Sequence, residues 1–492
     1  MGTNISESIK NGTISINHLT YDRNTSTYNL RKNIVWIGSS LENLYIQLSG
    51  ETFNGHGHTI SVGLNGTSNS YGLFSIDSGS DVSTIKNLKV KSTVTTNGAG
   101  GVVRQNQSNF KLINCHHYGN IEGQSAGGLC GQGTVLYASI VKCTSHGDIL
   151  GNYAGGICGD ASSANIYKCY HYGSINATES GGIVGRGFID GYIYKCKHYG
   201  DITSTKSGGI AGSNTNSLIY INSCSSNGNI TGDESGGICG SYAQGNIKNC
   251  KSMGNIEGNG CGGIMGSYCG SIYPSSFVSE TDFNTFCYVN GCYSSGNITG
   301  NNAGGICGFY TSLANYNGGI GSGCNSTCNI SNCYSLGSIS GQYAGGICGS
   351  YTSVSISSNN IFLIALCTII DCYSIGNIST TCGGICGDQT SNTTQSTTNI
   401  TNCYASGQVS NTNGWGIVNN TEGNSGNIIF LNCYSQNQEN SLTLINGKLD
   451  QLDPISWKST HKLPILRTFI KGNGVWKKYK HNYDQSKFNF HF

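Results

Sequence analysis

The residues with chemistry to offer are cysteines, histidines and a thin scatter of carboxylates. The chain of 492 residues carries 24 Cys, 11 His and 24 Asp+Glu. Thiolates at short spacing hold zinc, and paired imidazoles hold many metals. Eleven cysteines recur in a phrase of the type Asn-Cys-x-Ser/His-x-Gly-x-Ile: Cys115, Cys143, Cys169, Cys196, Cys224, Cys250, Cys292, Cys333, Cys372, Cys403 and Cys433. No compact CxxC…CxxC set accompanies them, so the spacing indicates no zinc site, and no cofactor is expected. His117, His171 and His198 stand two residues after such a cysteine, with His116 and His146 beside the column. Ser fills the same place in most other copies, so the histidines read as neutral imidazoles stacked on a polar face, without a metal. Polysaccharide hydrolysis needs paired acids, and elimination needs acids holding Ca²⁺ beside a base. Here Asp148, Asp160, Asp190 and Asp201 are spread, and only Asp148 and Asp201 fall at equivalent places. No Ser/His/Asp order, Walker-type loop or HExxH motif is present, so no residue is assigned a catalytic role.

What positions these residues is a repeat. A second phrase, Gly-Gly-Ile-Cys-Gly, recurs with its second glycine at Gly101, Gly128, Gly156, Gly182, Gly209, Gly237, Gly263, Gly305, Gly346 and Gly384. Spacings between copies are 26–28 residues early on and 38–42 later. From each phrase cysteine to the next second glycine is 13 residues in nine of ten repeats, so half of every unit is fixed. Stretches such as Ile166–Cys169 alternate apolar and polar residues, as strands do. A unit of this length without helical periodicity is one coil of a β-solenoid, stable only when stacked on its neighbours.

Composition agrees. The 74 Gly are roughly double the average share of about 7%. With 3 Pro and 10% charged residues, the chain is neither collagen-like nor disordered. The glycines are expected at turns, where positive φ is needed. Pro is scarce because parallel strands use every backbone donor. The fold class expected is all-β: a right-handed parallel β-helix of about eleven regular coils of 26–28 residues, with four enlarged coils and end caps.

Stacking turns positions into columns. The eleven phrase cysteines form one ladder, and Cys130, Cys158, Val184, Ala211, Cys239, Met265, Cys307, Cys348 and Cys386 form another. Exchange of Cys with Val, Ala and Met marks an apolar interior, with thiols serving as small hydrophobes. Cys269, Cys287, Cys324, Cys328 and Cys367 fall outside both ladders and are the better candidates for disulfides in an oxidising setting. Glu179, Lys206 and Glu234, and the pair Asp160 and Arg186, read as surface charge ladders.

Residues 1–99 read as an N-terminal cap with irregular coils, 100–436 as the repeats with enlarged coils in 267–402, and 437–492 as a C-terminal cap and basic tail. From Trp457 onward there are 8 Lys/Arg against 1 Asp. The tail reads as a solvated basic face, and no nucleic-acid partner is expected. The inserts of the enlarged coils emerge at one corner and are expected to display loops. Tyr273, Phe277, Tyr310, Tyr316, Tyr351, Ile361 and Phe362 are the candidate binding residues there. The longest apolar run, Ile361–Ile370, is too short to span a membrane, and the N-terminal residues lack the pattern of an ordinary signal peptide.

The assembled phrases resemble the GLUG-type repeats of surface and adhesin-like proteins of bacteria and large DNA viruses. Tyr28-Asn29-Leu30, Phe53-Asn54-Gly55-His56-Gly57-His58-Thr59-Ile60, Ile85-Lys86-Asn87-Leu88 and Leu463-Pro464-Ile465-Leu466 carry the likeness beside the repeats themselves. The resemblance implies a right-handed parallel β-helix at a virion or cell surface. It implies a non-catalytic rod for attachment to a glycan or surface protein, or for self-assembly into an oligomer or fibre. The alternative is a β-helix carbohydrate-active enzyme, a polysaccharide lyase or glycoside hydrolase.

Overall fold

The structure is a computed structural model. It describes residues 3–12, 16, 18–36, 44–62, 72–77, 79, 81–107, 109–134, 138–215, 219–271, 284–316, 325–357, 363–379, 381–391, 393–405, 416–419, 426–431, 433–436, 442–446, 457–459 and 464–466.

Alternation of apolar and polar residues builds the strands. In Gly191–Tyr194 the first and third residues are buried and Tyr192 faces out. Each coil places one such strand on a first sheet and a shorter one on a second. Both sheets have 15 strands, each hydrogen-bonded to the equivalent strand of the next coil. Pairing is parallel and in register throughout the repeats, as in Ile193 beside Ile221 and His171 beside His198. Antiparallel strands appear at the extremes: Leu19–Asp22 against Thr27–Leu30, and Leu442–Asn446 against Cys433–Gln436. The third side of the coil is held by single-residue bridges, including an isoleucine column from Ile121 to Ile378 and the Cys130-to-Cys386 column continuing to Val418. The molecule is therefore a parallel β-helix. Near its start, the short helix Ser6–Lys10 and the preceding Ile5 bury Ile5 and Ile9 in the core.

Both cysteine ladders line the interior, and every described cysteine is a buried free thiol. The ladder is hydrogen-bonded as well as packed. Cys143 Sγ donates to Val141 O at 3.3 Å and accepts from the Cys115 backbone N–H at 3.4 Å. Cys169 repeats this against Cys143.

The glycines do a different job from the one expected. The corners of the coil do have positive φ, but other residues mostly occupy them. One corner runs through Asn114, Lys142, Lys168, Lys195, Ser223 and Asn249, with φ of 53–56°. Another runs through Ser125, Tyr153, Glu179, Lys206 and Glu234. Each non-glycine residue there costs about 1–2 kcal/mol. Inter-coil bonds such as Lys168 N–H to Tyr194 O at 2.9 Å hold the shape. The Gly-Gly pairs have ordinary φ and are required by crowding. A Cβ on Gly182 would strike Gly209 O and come within 2.8 Å of His198 Nδ1; on Gly237 it would strike Gly263 O and come within 2.5 Å of Ser252 Oγ. A side chain in Gly-Gly would point into the next coil.

The described parts of the enlarged half-repeats are largely strand, while 272–283, 317–324 and 358–362, where loops are expected, lie outside the described residues. Part of the added length becomes sheet. The first-sheet strands lengthen to Asn284–Asn290, Asn325–Ser331, Ile364–Ile370 and Ser396–Thr401. Leu313–Tyr316 and Val354–Ser357 form an extra two-stranded parallel sheet. The apolar run thus contributes Ile364–Ile370 as a strand with Ala365, Cys367 and Ile369 buried.

Candidate binding surface

Columns of identical geometry let aromatic side chains stack outside the rod. Four successive coils place Tyr118, His146, Tyr172 and Tyr199 three residues after the ladder cysteine. Their centroids are 4.5, 4.6 and 4.9 Å apart, with interplanar angles of 12° or less. Tyr172 and Tyr199 are 43% and 37% exposed. Tyr192 and Tyr220 form a second exposed pair at 5.0 Å. Rings stacked along the axis cover one another's faces, so the row presents ring edges and polar tips.

A further ladder marks the enlarged coils. Tyr242, Tyr268, Tyr310 and Tyr351 stack at 4.5, 5.3 and 4.9 Å, with Phe309 edge-on to Tyr310 and Tyr351. All four tyrosines occupy a positive-φ corner, φ 53–59°, where Gly133, Ala161, Gly187 and Asn214 stand in earlier coils. Bulky residues held there mark either function or strong local packing. Burial pushes the Tyr268 phenol up to about 12 and raises Tyr310 in the same direction, so both remain neutral donors. Of the candidate binding residues, Tyr310 and Tyr351 are thus brought together, half-buried rather than on a projecting loop. Tyr316 ends the strand Leu313–Tyr316. Tyr273, Phe277, Ile361 and Phe362 lie outside the described residues. The exposed row through Tyr172 and Tyr199 was visible in the sequence only as tyrosines flanking the histidine column.

That histidine column faces inward, not onto a polar surface. His117, His171 and His198 are fully buried, because the second strand turns this position toward the Gly-Gly pair. His171 Nε2 donates to Gly147 O at 3.0 Å, which leaves its Nδ1 to accept from His198 Nδ1–H at 3.1 Å. His117 Nε2 donates to Ser92 O at 2.9 Å. Desolvation brings His117 and His171 down to about 4 and holds His198 well below the ordinary range. Where Ser fills the column, the hydroxyls of Ser145, Ser226, Ser252, Ser294, Ser335 and Ser374 are buried without a hydrogen-bond partner.

The carboxylates are engaged in holding the fold. Asp148 Oδ1 accepts from Ser174 N–H and Asp201 Oδ1 from Asn229 N–H, each at 2.8 Å. Asn229 continues the same ladder to Asn255. Arg186 lies between two buried acids, 3.5 Å from Asp160 and 3.8 Å from Glu179, and stacks 3.8 Å over the Tyr153 ring. Glu179 therefore pairs with Arg186 and not with Lys206, which pairs with Glu234 at 3.8 Å.

The cysteines outside the two main ladders lie inside the rod. Cys287, Cys328 and Cys367 stand in register on adjacent long strands, fully desolvated. Cys324 lies outside the described residues. Cys269, Cys307 and Cys328, from three chain-distant segments, bring their sulfurs within 4.8 Å of one another, although no sequence motif announces the group.

Among the described residues no helix is long and apolar enough to cross a membrane. No family model, curated protein or solved structure matches the chain.

Proposed function

We propose that the chain is a non-catalytic structural and binding protein: a β-helical rod that attaches to a glycan or surface protein, or assembles on a particle or cell surface. The observation that carries this reading is the exposed row Tyr118–His146–Tyr172–Tyr199, stacked at 4.5–4.9 Å on a scaffold paired in register coil by coil. Such a row offers phenol and imidazole donors at one strand spacing along the axis. A linear polymer with repeating hydroxyls matches it better than a compact small molecule. Ordering costs little, because stacking already restrains the rings. The second tyrosine ladder supports the reading by keeping bulky residues at strained corners.

A glycan array probed with the full chain and with Tyr172→Ala/Tyr199→Ala tests it. Binding of a linear glycan by the parent, weakened at least tenfold in the double variant, supports the proposal. Equal binding by both, or no binding to glycans or cell-surface protein fractions, sinks it.

A further inference from the structure

The thiol group at the first enlarged coil has a geometry that the long ladders lack. Along a ladder, sulfurs follow one another in a line at the coil spacing of about 4.8 Å, and no point is equidistant from three of them. Cys269 changes that. It sits three residues after the closing glycine of Gly262-Gly263-Ile264-Met265-Gly266, a column held elsewhere by Thr134, Ser162, Phe188, Thr215, Ala243, Thr311, Thr352 and Thr390. The hydroxyls of Thr134, Ser162, Thr311, Thr352 and Thr390 donate to the carbonyl three residues earlier, at 2.9–3.2 Å. The Cys269 sulfur instead lies 4.0 Å from Cys328 Sγ. Cys307 closes a triangle with them, all three within 4.8 Å. Cys287 is paired in register with Cys328 on the adjacent strand.

We propose that Cys269, Cys307 and Cys328 form a structural site for a thiophilic closed-shell cation of the zinc class, with Cys287, beside Cys328 on the adjacent strand, moving in as the fourth ligand. Tetrahedral coordination at about 2.3 Å per Zn–S bond sets sulfurs roughly 3.8 Å apart. The 4.0 Å pair already fits, and the rest of the triangle closes with movements below about 1 Å. All four sulfurs are excluded from water, as in a closed structural site rather than a catalytic one with an open position. Each coordinated thiol releases its proton on binding, so occupancy falls on acidification. The cation would be taken up during folding and would tie together segments of three successive coils.

The test uses the full chain, unfolded and refolded under reducing conditions with Co²⁺ or Zn²⁺, then freed of loose metal. One metal per chain, with thiolate-to-cobalt charge-transfer absorption, is expected. Cys269→Thr, which restores the residue usual in that column, should lower occupancy at least tenfold, as should Cys328→Ser. Cys169→Ser, in the regular ladder, should leave it unchanged. Parent protein that retains no metal while all 24 thiols titrate as free would overturn the proposal. So would a Cys269–Cys328 disulfide in metal-free protein, or equal metal loss in Cys169→Ser. If a variant does not fold, the stoichiometry and spectrum of the parent still decide.

Discussion

The regular coils, residues 100–266, and the enlarged coils, residues 267–402, share one frame and differ in one side of it. The Cys ladder, the isoleucine column and the Gly-Gly bridges run through both without a break in register. First-sheet strands in the regular part are three or four residues long, whereas those of the enlarged part are six or seven. The added residues create an inner row, Thr285, Ser326, Ala365 and Ser396, two residues before the Cys287 column on the same face. Its hydroxyls find partners, as in Ser326 Oγ donating to Gly270 O at 2.6 Å. A β-helix thus tolerates insertion where a strand can lengthen in register and rejects it at the crowded Gly-Gly side.

The strongest way to break this comparison is to add one carbon at the shared frame. Gly182→Ala and Gly346→Ala would each drive a Cβ into the carbonyl of the next coil, Gly209 and Gly384 respectively. Both should cost more than about 4 kcal/mol or prevent folding, read as a loss of cooperative thermal unfolding. Tolerance of Gly346→Ala alone would show that the enlarged coils have relaxed the frame.

Acid should separate the two regions. His117, His171 and His198 lie in the regular coils, and the same column is serine in the enlarged ones. Their folded-state values lie below the unfolded one, so the unfolded chain binds more protons. Stability is full above about pH 6.5 and declines toward pH 4, by on the order of 3 kcal/mol for each of His117 and His171. Protonating His171 also turns an accepting Nδ1 into a donor facing His198. Hydrogen exchange at pH 5 should accelerate in residues 115–200 before residues 284–405. A His171→Ser/His198→Ser variant should lose much of that difference.

The smallest effect probes what the regions share. Ser252→Ala and Ser335→Ala remove buried hydroxyls that have no partner. Both should be neutral or stabilising by up to about 1 kcal/mol, as Ala405 in the same column suggests. Destabilisation above that in denaturant titration would mean the hydroxyls bind ordered water.

Much of this was legible in the chain. The fixed distance from Cys115 to Gly128, repeated coil after coil, gave the pitch, and Val184 or Met265 among cysteines marked the interior. The reason for the glycines was not legible, because sequence alone does not separate positive φ from crowding. The facing of His117 was not either, since which of two alternating positions turns inward depends on where the corner at Asn114 falls. The convergence of Cys269, Cys307 and Cys328 needs three segments separated by the enlarged half-repeats. Its one sequence trace is a cysteine in a column where threonine is the commonest residue. The lengthening of Ser396–Thr401 and its neighbours was legible, because they carry the same alternation as the shorter strands.

The in-register pairing has a mechanical consequence. Inter-coil hydrogen bonds point along the rod, and each coil is bonded only to those above and below it. Tension applied through the two ends therefore peels the terminal coil while the remainder stays intact. Extension should proceed as a staircase, each step releasing the contour of one coil: about 90 Å for a 27-residue unit and about 140 Å for a 42-residue one. A force trace would read out the repeat lengths in order, the long steps grouped toward one end.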